Sequence, residues 1–181
     1  LQVISTEHEA QLSYRSVRHH FRLDNTKALI ADIGGGSLEL VGAVDGLVEL
    51  SRSLPYGAVR LTEQFVPGKR APHREVNALR KHLGKRLARQ LPKRAWTGAR
   101  IIGSGGTFTN LARMAVARRG GDPTEPVHGI EVSVAEVEHL LEWLSSRTAL
   151  QRRNVPGLNP ERADIILAGL TVIASLLERL D

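Results

Sequence analysis

The sequence has no cysteine, and aromatic residues make up only 4% of its 181 positions. The lack of cysteine excludes disulfide bonds and thiolate metal sites, and it fits a reducing compartment. No apolar run reaches the length of a membrane span, and the sequence shows no signal peptide. We therefore expect a cytoplasmic protein that does not interact with membranes.

The composition is that of a globular domain, with 41% apolar and 24% charged residues. A chain of this length buries roughly two thirds of its unfolded surface, which is enough for one core without cross-links. The sequence begins at Leu1 rather than at methionine, and Leu1–Ile4 already resembles a strand. From this we expect that upstream residues have been removed.

The net charge of +6 favours an anionic partner. Residues 69–94 hold ten basic side chains against one acid, Glu75. Leucine recurs every fourth position there, which predicts a helix over about 73–90 with one apolar stripe. The basic side chains suit either a solvated helix face or a landing surface for a polyanion such as polyphosphate, with Arg80, Lys81, Lys85 and Arg86 as guides. The scarcity of aromatics makes a nucleic-acid partner unlikely.

The stretch Ala28–Val41 organises the rest of the chain. An apolar run leads into Asp32, and three glycines and a hydroxyl follow, at Gly34, Gly35, Gly36 and Ser37. This pattern predicts a strand, a tight turn and a second strand. Bare glycine backbone lets N–H groups approach a phosphate closely, and Asp32 at the strand end is placed to hold a divalent cation. The alternative is an ordinary glycine-rich hairpin with Asp32 as a turn residue.

The order of predicted elements indicates an α/β layer structure, in which a three-stranded meander and further strands are flanked by helices. One strand is expected to end at residues 3–5. Further strands are expected over about 28–33, 37–44, 47–53, 99–102 and 129–132. Helices are expected from Thr6, over 59–66 and 73–90, from the Gly103–Thr107 turn to about 117, over 134–146, and from Asn159. Thr6 and Glu9 have the spacing of a capping box.

Five stretches together resemble the exopolyphosphatase/guanosine pentaphosphate phosphatase (Ppx–GppA) family: Ile4–Ala10, Asp32–Leu40, Leu54–Glu63, Gly103–Thr107 and Arg162–Gly169. That family has the actin-like ATPase fold, in which two ribonuclease-H-like lobes surround a cleft. Only one Asp-and-Gly loop occurs in this chain. The resemblance therefore implies that residues 1–24 join the lobes, that residues 25–181 form the second lobe, and that the first lobe is absent.

The resemblance also implies roles for individual residues. Phosphoanhydride hydrolysis needs a cation, charge neutralisation on the phosphate and an oriented water. Glu9 is the expected base for the water, although a helix cap is its alternative role. Asp32 and Glu39 are the expected Mg²⁺ ligands, with an exposed strand carboxylate as the alternative for Glu39. The expected phosphate ligands are Gly34, Gly35, Gly36, Ser37, Gly103, Ser104, Gly105, Gly106 and Thr107.

By the same resemblance, the chain is expected to be part of a Mg²⁺-dependent hydrolase. The enzyme would release terminal phosphate from polyphosphate or from guanosine penta- or tetraphosphate, and the full-length protein is a possible homodimer. Alternatives are a sugar-kinase or ATPase lobe of the same fold, and a polyphosphate sensor without activity. The chain alone is expected to be inactive because the site needs both lobes. The remaining histidines lack metal-ligand spacing and are expected at the surface: His19, His20, His73, His82, His128 and His139.

Overall fold

The computed structural model describes residues 6–21, 23–68 and 73–181, without the side chains of residues 6–11 and 13. The strand end expected at 3–5 lies outside these residues. The elements are α1 (Thr6–His20), β1 (Lys27–Ile33), β2 (Leu38–Val44), β3 (Leu47–Leu54), α2 (Ala58–Phe65), α3 (His73–Gln90), α4 (Lys93–Trp96), β4 (Arg100–Ser104), α5 (Gly105–Arg118), α6 (Val134–Ser145), α7 (Ala149–Arg152), a 3₁₀ turn (Pro160–Arg162) and α8 (Ile166–Leu180).

The strands form one sheet in the order β3-β2-β1-β4. β1, β2 and β3 are an antiparallel meander, as predicted, and β4 pairs in parallel with β1. The turn at 34–37 therefore lies at the same end of the sheet as the carboxyl end of β4. The β2–β3 turn lies at the opposite end, where Asp45 and Gly46 both have positive φ.

The main core lies between one face of the sheet and α2, α3, α6 and α8. Alternate residues of β1 face it, and the predicted leucine stripe of α3 is completely buried there: Leu79, Leu83, Leu87 and Leu91. α8 is buried over most of its length because it packs against both α3 and α6. No helix in the described residues is long and apolar enough to span a membrane.

A smaller cluster covers the other face of the sheet. Tyr14 and Val17 of α1 pack there with Ala28 and Ile30 of β1. Because side chains alternate along a strand, Asp32 projects to the same side as Ala28 and Ile30. The carboxylate at the end of β1 therefore lies on the face that carries α1, away from the main core.

Two predictions about secondary structure are wrong. Residues 129–132 form no strand; Ile130 is 39% exposed, so the segment lacks the buried apolar side that would favour pairing. Asn159 accepts a hydrogen bond from the Glu161 N–H at 3.0 Å, but it caps only the 3₁₀ turn, and α8 begins later at Ile166. The short helices α4 and α7 were not anticipated.

His82 also departs from its expected place at the surface. It is half-buried on α3, where its ring packs against Phe65 at 4.9 Å and Tyr56 at 6.4 Å between centroids. Burial, and then the charge of Arg86, lower the pKa of the His82 imidazole. Other histidines, His19, His20, His73, His128 and His139, are exposed as expected.

Candidate functional site

A row of four oxygen-bearing side chains crosses the sheet beside the glycine turn. In the strand register, Ser53 pairs with Glu39, Glu39 with Asp32, and Asp32 with Ser104. Residues directly opposite each other project to the same face, so the four side chains are neighbours. Ser104 Oγ donates a hydrogen bond to Asp32 Oδ2 at 2.8 Å, and Ser53 Oγ donates one to Glu39 Oε1 at 3.2 Å. The two hydroxyls thus fix the two carboxylates from either side.

Asp32 and Glu39 are the central pair of this row. Glu39 is only 7% exposed and Asp32 is half-buried. Within the described residues, neither carboxylate forms an ion pair with a basic side chain. Cross-strand partners have Cβ atoms about 5 Å apart, so the two carboxyl groups lie within reach of one cation. Carboxylate oxygens are suitable ligands for Mg²⁺.

The number of protein ligands limits which cation site is feasible. Among the described residues, no group of three or more His, Cys, Asp or Glu side chains is arranged to hold a metal ion. Mg²⁺ typically takes one or two carboxylates and completes its shell with water and substrate phosphate oxygens. The Asp32–Glu39 pair fits this type of site, and it does not fit a site built only from protein ligands.

The backbone of the glycine turn is oriented by α2. Gly34 N–H donates to Ser37 O at 3.0 Å, which closes the turn. The carbonyls of Gly34 and Gly35 accept hydrogen bonds of 2.9 to 3.1 Å from the first N–H groups of α2, those of Ala58, Val59 and Arg60. In a trans peptide the C=O and the following N–H point in opposite directions. The N–H groups of Gly35 and Gly36 therefore point away from α2, and they meet no acceptor among the described residues.

Gly57 allows α2 to approach the turn this closely. A Cβ at Gly57 would collide with the backbone of Gly35 and Gly36. Gly57 itself has an ordinary φ of −72°, so the requirement for glycine is one of space. This close approach and the hydrogen bonds from α2 fix the direction of the Gly35 and Gly36 N–H groups, and neighbouring N–H groups that point outward from a turn can bind an anion.

The start of α5 lies on the other side of Asp32. β4 runs directly into the helix, and Gly105 at the junction has φ +80°; a Cβ there would collide with Asp32 Oδ1. Among the described residues, no side chain caps this helix N-terminus, so its first N–H groups keep their hydrogen-bonding capacity and the positive end of the helix dipole. Ser104 and Gly105 thus lie beside Asp32, and Gly106 follows in the first turn of α5; their role as phosphate ligands stays a prediction.

Three of the predicted phosphate ligands are placed differently, and the first is Gly34, whose N–H donates to Ser37 O within the turn. Thr107 is buried, and its hydroxyl donates to Ile33 O at 3.4 Å, so the side chain ties the end of β1 to α5. A Cβ at Gly103 would collide with the ring of Phe108, so this glycine provides room for packing. Neither the Thr107 hydroxyl nor the Cα of Gly103 faces the Asp32–Glu39 pair.

Arg162 is a candidate site residue that the sequence reasoning missed. Its guanidinium lies against the backbone of Gly106, where a Cβ would otherwise stand. The Arg162 guanidinium forms no ion pair with another described residue, while the backbone N–H donates to Asn159 O at 2.9 Å. Asn110 fixes this segment, because its Nδ2 donates to Gly106 O at 2.7 Å and its Oδ1 accepts from Asn159 N–H at 2.6 Å. The stretch Arg162–Gly169 is part of the family resemblance. From the sequence alone, Arg162 looks the same as any charged residue that precedes a helix.

Arg60 is a second cation close to the glycine turn. It lies in the first turn of α2, its backbone N–H donates to Gly35 O at 3.1 Å, and its side chain is exposed. Glu9, the expected base, is in α1, but its side chain lies outside the described residues. Its role and the Thr6–Glu9 capping box stay predictions.

Comparison with known proteins identifies the family. The sequence profile of the Ppx/GppA phosphatase family matches residues 1–181. The chain belongs to this family. It is 33% identical to Exopolyphosphatase 1 of Mycobacterium leprae over 174 residues, which cover 95% of the chain and 51% of that protein. It is 30% identical to Exopolyphosphatase 2 of Mycobacterium tuberculosis over 185 residues, covering 99% of the chain and 56% of that protein.

Solved structures give the same result for the fold. The crystal structure of the Aquifex aeolicus member of the Ppx/GppA family superposes with a TM-score of 0.87 at 27% identity, covering 99% of this chain and 57% of that chain. The predicted family and the α/β, actin-like ATPase fold class are thereby confirmed. The chain spans about half the length of the relatives that it matches.

Proposed function

We propose that this Ppx/GppA chain forms one side of a phosphoanhydride hydrolase site that releases terminal phosphate from inorganic polyphosphate. The observation that carries the proposal is the Asp32–Glu39 pair beside a turn whose N–H groups point outward. The names of the relatives support polyphosphate as the substrate, since two of them are exopolyphosphatases.

Asp32 and Glu39 would hold Mg²⁺, and the ion would neutralise negative charge on the phosphate as the bond breaks. Ser104 and Ser53 hold the two carboxylates in place through their hydroxyl hydrogen bonds. Because both carboxylates are fixed before a ligand arrives, little reorganisation is needed when the cation and phosphate bind.

The phosphate oxygens would meet N–H groups and cations on either side of the carboxylates. Gly35, Gly36 and Ser37 offer backbone N–H groups from the turn, and the first turn of α5 offers more. Arg162 adds a guanidinium at the start of α5, where it stabilises negative charge on the transferred phosphate. These groups bind and orient the substrate, while Glu9 is proposed to orient the attacking water.

We also propose that residues 25–181 act as the second lobe and residues 1–24 as the link to a first lobe. A phosphate contacted from one side only stays in contact with bulk water, where each charge interaction is much weaker. The chain alone is therefore expected to bind phosphate weakly and to release almost none. A cytoplasmic location remains a prediction from the composition.

The family assignment argues against the sugar-kinase alternative, and an assay decides between an enzyme and a sensor. The chain joined to its first lobe should release phosphate from polyphosphate in Mg²⁺, and the release should stop when EDTA removes the ion. Guanosine pentaphosphate is tested in parallel, because a preference for it would reassign the substrate. Polyphosphate binding without any phosphate release would support a sensor and overturn the proposal.

A further inference from the structure

The outward face of α3 carries a row of four cations: Arg74, Lys81, Lys85 and Arg89. All four side chains are exposed. With 3.6 residues per turn, their spacing places them along one side of the helix, opposite the buried leucine stripe. At a rise of about 1.5 Å per residue, the row is about 22 Å long. We propose that this row binds the distal part of a long polyphosphate chain whose terminal phosphate occupies the glycine turn.

The row differs from the group of guides expected from the sequence, because Arg80 is already engaged. The Arg80 guanidinium donates to both Glu138 oxygens at 2.6 and 2.9 Å and to Glu178 at 3.1 Å, which ties α3 to α6 and α8. Its role is structural, and Glu138 raises the pKa of Arg80 further. In contrast, none of the four row cations forms an ion pair with a described residue.

Like charges at this spacing have a cost for the free protein. Lys81, Lys85 and Arg89 follow one another at intervals of four, and like charges at this spacing destabilise a helix. The single acid of the helix, Glu75, lies away from the row and is half-buried. An extended polyanion along the row would reverse this repulsion, because each cation would then face a phosphate group.

The row runs toward the end of the sheet that holds the glycine turn, on the side of the sheet that carries the main core. At the far end of the sheet, Gly98 N–H donates to Leu180 O at 2.8 Å, and Arg179 Nε donates to Leu91 O at 2.7 Å. These bonds place the carboxyl ends of α3 and α8 near the start of β4. The amino end of α3, with Arg74, therefore points toward the end of the sheet that holds the glycine turn. Arg60, exposed in the first turn of α2 beside Gly35, adds a cation at the same end of the sheet.

The chemistry of the row favours polyphosphate over nucleic acid. The exposed positions of α3 carry basic, small and amide side chains, and no Phe, Tyr or Trp among them offers a base a stacking surface. Trp96, which follows the helix, is buried. A row of cations without stacking platforms suits a ligand that consists only of repeating phosphate groups.

The test compares two double variants that change the net charge by the same amount, one on α3 and one on α5. Lys81→Glu with Lys85→Glu reverses the row, and Arg113→Glu with Arg118→Glu reverses two exposed positions on α5 as the matched control. Binding of long-chain polyphosphate and of tripolyphosphate to the chain is measured by calorimetry at several salt concentrations. The row variant should bind long chains at least ~10-fold more weakly with a flatter salt dependence, and its affinity for tripolyphosphate should change less than ~2-fold.

Three results would overturn the inference: equal losses in both double variants, an equal loss for tripolyphosphate, or no loss at all. Tighter binding of a single-stranded oligonucleotide that depends on Lys81 and Lys85 would assign the row to nucleic acid. The inference rests on the proposed function, but its failure is separable from that of the function. Binding is measured without turnover, and phosphate release from tripolyphosphate by the chain joined to its first lobe reports on the site alone.

Discussion

Asp32 of β1 lies directly opposite Glu39 of β2, and both side chains leave the sheet on the face that carries α1. This relationship depends on the register of one hairpin. A slip of one residue would turn Glu39 toward the main core and separate the two carboxylates. The Gly34–Ser37 hydrogen bond and the contact of Gly57 with the turn hold the register. The candidate cation site is thus a consequence of how the hairpin closes.

Glu39→Gln should weaken Mg²⁺ binding. The amide keeps the size of the side chain and the Ser53 contact but removes the charge. In the chain joined to its first lobe, the Mg²⁺ concentration for half-maximal phosphate release should therefore rise ~10-fold or more. Glu49→Gln on exposed β3 is the control and should leave the Mg²⁺ dependence unchanged. An unchanged Mg²⁺ titration for Glu39→Gln would remove Glu39 from the cation site.

Gly57→Ala should destabilise the fold through a clash with the glycine turn. Forcing a methyl group into a filled space typically costs about 1–3 kcal/mol, so thermal unfolding should occur several degrees lower. Gly84→Ala in α3 is the matched control, since a Cβ there meets open space and a helical alanine is favoured by about 1 kcal/mol. The two variants should shift the melting temperature in opposite directions. A neutral Gly57→Ala would show that α2 does not press on the turn.

Arg162→Gln should impair substrate binding more than folding. Loss of the guanidinium beside Gly106 should raise KM for polyphosphate on the order of 10-fold, and Arg162→Lys should restore little because lysine lacks the planar fork. Arg153→Gln, an exposed arginine near Asp164, provides the comparison for a simple change of charge. If both glutamine variants behave alike, Arg162 has no specific role at the site.

The capping box of α6 should make stability sensitive to acid. Arg119 donates two hydrogen bonds of 2.8 Å to Glu136, and Ser133 N–H donates another at 2.9 Å; these contacts lower the pKa of Glu136 to about 2. A depressed carboxylate pKa stabilises the fold above the unfolded pKa of about 4.3, and this stability is lost as the pH falls toward 2.

The corresponding measurement is chemical unfolding of the wild type and Glu136→Gln between pH 7 and pH 3. The wild type should be the more stable protein at pH 7, and the difference should stay nearly constant down to about pH 5 and then shrink as the pH falls further. Glu125→Gln in the loop before α6 serves as the control. A difference that stays constant with pH would mean that the charge of Glu136 contributes nothing.

The hairpin and the basic helix were predictable because their signals are local. The run into Asp32, the three glycines and the leucines of α3 each fix their own element and its buried side. The segment 129–132 has strand-like residues, yet its pairing depends on a neighbour that the local pattern does not reveal. A local sequence pattern predicts a strand or helix reliably only when the pattern also shows which side of the element is buried.

Arg162 could not be assigned from the sequence for a related reason. Its contact with Gly106 joins residues far apart in the chain, and Asn110 links the same two segments through its bonds to Gly106 and Asn159. Similarly, the sequence does not distinguish Arg80 from its basic neighbours. Its ion pairs form because α6 and α8 bring Glu138 and Glu178 close to it. Tertiary packing, rather than residue type, decides which basic side chains are engaged within the fold.

The most direct test of the central claim is phosphate release from polyphosphate by Asp32→Asn in the chain joined to its first lobe. Asp45→Asn, in the turn at the opposite end of the sheet, is the matched control, and asparagine tolerates the positive φ of that position. If Asp32 holds the cation beside the glycine turn, Asp32→Asn should lower release at saturating Mg²⁺ by on the order of 100-fold or more, with unchanged folding. A rate equal to that of Asp45→Asn would contradict the account.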